Sequence, residues 1–149
     1  MGAPDCLNDC LMQQVRMEEQ AERIERLRRL LRQLSRETVA DVVSGTRDDL
    51  SYGHITVRGK PGPEYQTVRR SLQGAEEKYM RMECQLLGLI LTAADYLETV
   101  EQSRLRLVLR LRYIDGLTWE HIGRKTDRTE RGCRAMVERY FASGSRHCP

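Results

Sequence analysis

Seven side chains crowd the stretch from Arg124 to Arg134: Arg124, Lys125, Arg128, Thr129, Glu130, Arg131 and Arg134. Guanidinium groups form paired hydrogen bonds to phosphate oxygens or to a guanine edge, and an ammonium adds a point charge. A threonine hydroxyl ahead of a helix caps it, and the helix end it caps attracts anions. The chemistry on offer is recognition of a polyanion, not the making or breaking of bonds. Nothing in the chain resembles a glycine-rich phosphate loop, a metal-ligand spacing or a nucleophile–histidine set. No enzyme activity, catalytic residue, cofactor or metal is therefore expected.

These residues need elements to position them. Leu105, Val108, Leu109 and Arg112 share one helical face, and that helix should stop near Ile114 because Asp115–Gly116 is a turn pair. Thr118 is a good N-cap, with Glu120 in the first turn, for a short helix from Trp119 to about Lys125. Thr126–Asp127–Arg128 breaks it, and aspartate tolerates a left-handed backbone. Thr129 then caps a last helix to about Phe141. Its buried stripe is Cys133, Met136, Val137 and Tyr140, and it exposes Arg131, Arg134 and Arg139. Helix, short helix, tight turn, helix is the helix-turn-helix layout, whose second helix enters the major groove of DNA.

The run LRLVLRLRYIDGLTWEHIGRKTDRTERGCRAMVERYF, Leu105 to Phe141, resembles region four of the sigma-70 family. Its nearest likeness is to short phage and prophage sigma-like regulators of Gram-positive bacteria, which share two long N-terminal helices and a glycine-containing linker. The resemblance implies a sequence-specific regulator that binds double-stranded DNA and contacts RNA polymerase. Three departures fall at the turn: Thr126, Asp127 and Arg128 stand where the family carries Leu, Gly and an apolar residue. Gly123 replaces the family's usual small residue after the isoleucine. No aromatic-rich promoter-melting segment precedes the motif, so a complete sigma factor is not expected. Two alternatives remain: a DNA-packaging protein of small-terminase type, and a helical interaction protein whose helix-turn-helix grips a protein.

Upstream, the chain reads as scaffold. From about Leu7 to Val43 there is no Gly or Pro, and Met17, Ile24, Leu27, Leu31 and Leu34 form one stripe with Gln20 in a skipped slot. Glu22–Arg26 and Glu25–Arg29 are spaced for i, i+4 ion pairs. Residues 44–63 hold four glycines and two prolines and read as a linker, with a brief extended piece at His54–Val57. Val68, Leu72, Ala75, Tyr79, Met82, Leu86, Leu89, Ala93, Tyr96 and Val100 then keep a strict 4-3 spacing, the seam of a coiled coil within a helix over 65–101. The fold class is all-α: a long antiparallel helical hairpin over residues 1–102, followed by a helix-turn-helix domain over 103–149. The apolar surface near Leu87, Ile90, Leu91 and Leu97 is wider than a two-stranded seam needs. It should receive the C-terminal block or a second copy, so a homodimer is one possible partner.

Composition agrees with this division. Of 149 residues, 32% are charged and only 5% aromatic, which disfavours β-sandwiches and barrels. The net charge of +3 is unevenly spread: residues 101–149 carry 11 cations and 6 anions, while residues 1–100 carry 14 and 16. Such a basic C-terminal third points to a local polyanion site. The five cysteines lack CxxC spacing, and a reduced protein is expected. No apolar run approaches the roughly 18 residues that span a bilayer, so no membrane role and a cytoplasmic location are expected. Residues 104–141 fall just short of the roughly 40 that an unstapled domain needs, so this block should dock on the end of the helical hairpin.

Overall fold

The computed structural model describes residues 3–39, 42–46, 52–56 and 62–144, the two short segments by backbone alone. The described residues form five α-helices: α1 (Asp5–Val39), α2 (Pro63–Glu98), α3 (Ser103–Leu109), α4 (Trp119–Thr126) and α5 (Glu130–Ala142). The all-α class with a long antiparallel helix pair holds. No described helix is long and apolar enough to cross a membrane.

The segment read as a linker is different. Strands β1 (Val42–Thr46) and β2 (Tyr52–Thr56) pair antiparallel, with Val42 opposite Thr56 and Gly45 opposite Gly53. Helix α1 ends at Val39 rather than Val43. Val42, Val43, Tyr52, Ile55 and Thr56 favour an extended backbone, and pairing satisfies the polar groups that an irregular linker would leave to water. The extended piece expected at His54–Val57 is realised over His54–Thr56 as part of β2; Val57 lies outside the described residues.

Two compact units divide the chain, Met1–Glu18 with Arg81–Pro149, and Glu19–Met80. Both long helices contribute to both units. In the second unit the skipped slot in the α1 stripe has a use: buried Gln20 donates from Nε2 to the Ala75 carbonyl at 2.9 Å. A small residue at 75 leaves room for the amide. Ile24 is buried beside it in sequence, whereas Leu27, Leu31 and Leu34 are half-buried. Glu25 pairs with Arg28 at 3.0 Å rather than with Arg29, whose Nε reaches the Glu25 carbonyl at 3.5 Å. Arg28 also holds Glu76 at 2.9 Å. That second carboxylate explains the change of partner, because Arg28 can fork between the two, and both hold its guanidinium pKa above the ordinary value.

The first unit carries the main core. Leu7 and Cys10 of α1, Ala93, Tyr96 and Leu97 of α2, Val100, Leu105, Val108 and Leu109, and Ile122, Cys133, Val137 and Phe141 form one buried cluster. The C-terminal block is thus docked against the Leu97 end of α2, as its size demands. The coiled-coil seam is buried or half-buried along its whole length, from Val68 to Val100. Gln13 repeats the Gln20 device one heptad away, donating to the Met82 carbonyl at 3.1 Å. Leu87 and Leu91, by contrast, stay exposed. Cys10, Cys84 and Cys133 are free thiols, and burial pushes the Cys10 pKa up. Cys6 is disulfide-bonded, which corrects the reduced reading at that position.

Candidate nucleic-acid interface

The site begins with α3. Its helix continues into one widened turn over Arg110–Ile114, where the Asp115 N–H donates to the Arg110 carbonyl at 3.0 Å. Such a turn leaves carbonyls short of partners, and α1 supplies one. Gln14 Nε2 donates to the Tyr113 and Ile114 carbonyls at 3.1 and 2.6 Å. Gly116 follows with φ +67°, and a Cβ there would collide with the Gln14 side-chain oxygen. The chain then reverses into Leu117, whose carbonyl accepts from Arg112 at 3.0 Å. The Arg112 guanidinium also lies 5.1 Å from the Trp119 ring centroid. Arg112 is thus a clasp on the α3–α4 turn.

Thr118 caps α4, accepting from the His121 N–H at 3.4 Å. The helix ends at Asp127, whose φ of 54° and ψ of 46° are the left-handed conformation expected of it. Gly123 makes this turn possible. A Cβ there would lie 2.7 Å from the Arg128 carbonyl oxygen and 3.2 Å from the Glu130 nitrogen, so even alanine would force the backbone apart. The Arg128 N–H in turn donates to the Gly123 carbonyl at 2.9 Å. Thr126, placed where the family has Leu, keeps a link between the helices by another route. Its hydroxyl donates to the Ile122 carbonyl at 2.8 Å and lies 3.5 Å from Cys133 Sγ. The apolar anchor is replaced by a polar bridge.

Thr129 caps α5, accepting from the Gly132 N–H at 3.1 Å. Cys133 and Val137 are buried, with Met136 and Tyr140 half-buried; Phe141 adds a further buried contact beyond the expected stripe. Burial and a hydrogen bond with Tyr96 push the Tyr140 phenol up to about 12.

The five cations among the seven expected residues fall into two groups. Arg124 pairs with Glu120, and Arg134 pairs with Glu130 at 2.9 Å, each one turn apart. Arg134 also sits 5.9 Å from the Trp119 ring centroid. Lys125, Arg128 and Arg131 are exposed and make no ion pair among the described residues. The turn separates two hollows. One, about 470 Å³, is lined by Glu120, Gly123, Arg124, Arg128, Thr129 and Glu130. The other, about 500 Å³, is lined by Arg104, Leu107, Val108, Lys125, Arg128 and Met136 among others. Arg128 belongs to both. Arg131 lines neither; it lies on the exposed first turn of α5.

Sequence reasoning missed Arg104 of α3, which lines the second hollow together with Lys125 of α4. It also missed Trp119 as a platform for two guanidinium groups. The Arg112, Trp119 and Arg134 side chains come from three elements, and their approach has no local spacing signal. Compared with family models, with curated proteins and with solved structures, the chain matches none of them.

Proposed function

We propose that this protein is a sequence-specific DNA-binding transcription regulator of phage type. In this reading α4, the Asp127 turn and α5 act as the helix-turn-helix, with α5 in the major groove. The observation that carries the reading is a left-handed turn at Asp127 flanked by Lys125, Arg128 and Arg131, three exposed cations that make no ion pair among the described residues. Arg128, beside the capped start of α5, grips a backbone phosphate, where helix dipole and guanidinium act together. Arg131, in the first turn of α5, reaches a base edge. Arg134 is a weaker reader, because Glu130 and the Trp119 ring already hold it. Contact with RNA polymerase rests on the sigma-like resemblance alone.

The test is selection from a random duplex library with the purified protein, followed by anisotropy on the recovered site. Arg131→Ala should cost about 1–3 kcal/mol and relax preference at one base pair. Arg128→Ala should weaken all duplexes alike and flatten the salt dependence by about one unit from a slope of roughly −4 to −5. No enrichment from the library, together with unchanged binding by both variants, would overturn the proposal.

A further inference from the structure

The α2 helix has a second apolar face that no described residue covers. Leu87 is 63% exposed and Leu91 68%, and the free thiol of Cys84 is exposed beside them. At about 100° per residue these three lie within roughly 60° of one another on the helix. They sit on the side opposite Met82, Ala93 and Tyr96, which are buried. The 4-3 spacing of 84, 87 and 91 is that of a helix-pairing stripe.

The rim of the stripe is acidic. Glu83 and Asp95 flank it and Glu98 continues its line, while Arg81 is the only cation between residues 81 and 98. Glu83 and Asp95 are exposed and make no ion pair among the described residues, and Glu98 has only a long 3.7 Å contact with Arg106. Two considerations select the occupant. A second copy pairing through this face would bring like-charged rims together, which is unfavourable. Two leucines and a cysteine also fall far short of the roughly 800 Å² per partner that a stable dimer buries. A single short helix needs less area, and a cationic one gains from every carboxylate on the rim.

We infer that the outward face of α2 around Cys84, Leu87 and Leu91 is a docking surface for a cationic amphipathic helix of a partner protein. The leucines enter the partner's apolar stripe, and its arginines or lysines straddle Glu83, Asp95 and Glu98. The contact is weak and salt-sensitive, because its charges stay solvated.

The probe is a designed 18-residue helical peptide with leucines at i, i+3, i+4 and i+7 and flanking arginines, titrated into the full-length protein at low salt. Binding with a dissociation constant on the order of 10–100 µM is expected. It should protect Cys84 from iodoacetamide, since Cys10 and Cys133 are buried and react slowly. Leu87→Ser with Leu91→Ser should weaken binding at least tenfold. These positions are exposed, and an unchanged circular dichroism melt verifies that the fold persists. Glu83→Lys with Asp95→Lys should reverse the preference, so that a glutamate-flanked peptide of the same leucine pattern binds better than the arginine-flanked one. Absence of peptide binding overturns the inference, as does binding that survives the serine variant. Sedimentation showing self-association that the serine variant abolishes overturns it in favour of a second copy.

Discussion

The two compact units use the same helices and are held together in different ways. In the unit of residues 1–18 and 81–149, sixteen side chains are buried in one cluster, and Leu7, Leu109, Ile122 and Cys133 are fully enclosed. In the unit of residues 19–80, the buried residues among those described are Gln20, Ile24 and Ala75, and its ion pairs stand in solvent. Two helices alone present one seam to each other, so most of each side chain keeps a wet flank. A third and fourth helix are what close a core. The unit that bears the candidate interface is therefore the one in which a single lost methyl group is felt, and the unit of residues 19–80 is the one that opens first.

The largest expected effect lies in the closed core. Ile122→Ala should cost about 2–5 kcal/mol, while Ile24→Ala, in the thinner layer, should cost about 1–2 kcal/mol. Urea titrations followed by Trp119 fluorescence and circular dichroism measure both; equal costs would break the comparison. Next comes Gly123→Ala, expected to cost about 1–3 kcal/mol because its Cβ meets backbone rather than a movable side chain. It should also lower DNA affinity by displacing Arg128 and Thr129, whereas an equally destabilising change in residues 19–80 should not. The third effect depends on pH. Folding raises the Tyr140 pKa to about 12, so the unfolded phenol ionises first as pH climbs through its ordinary value near 10. The stability this phenol contributes is complete below pH 10 and is lost as pH rises towards 12. Thermal melts should show a steeper alkaline fall for the native protein than for Tyr140→Phe. The smallest effect is Arg28→Ala, whose solvated pairs with Glu25 and Glu76 should leave the melting temperature unchanged within error. A clear drop there would mean that ion pairs, not the seam, hold residues 19–80.

Much of this was legible in the sequence because it is local. The 4-3 spacing from Val68 to Val100 needs only the helical period, and the caps at Thr118 and Thr129 need only the next three residues. Asp127 was readable as the left-handed residue because few other side chains accept that backbone. The β-hairpin was obscured by its own glycines, which signal a break in helix and say nothing of pairing between Val42–Thr46 and Tyr52–Thr56. Among the expected site residues, charge and position were legible but availability was not. That Arg134 is shared between Glu130 and Trp119, while Arg131 makes no ion pair among the described residues, depends on rotamers and on a ring from another helix. Arg104 and Gln14 were illegible for the same reason, since each acts on residues that the fold alone brings near.

Gln14 sets a condition on how the molecule is made. Its hydrogen bonds reach 99 and 100 positions along the chain, to Tyr113 and Ile114. During synthesis, at roughly 5–20 residues per second, this amide waits many seconds for its acceptors to appear. Leu7 and Cys10 wait with it, and the hydrophobic cluster that encloses them takes in Phe141 as well. Closing so distant a contact is the slow kind of folding event. The support of α5 thus forms only after its own residues have followed those of α1 out of the ribosome, when Leu7 and Cys10 can at last meet Phe141.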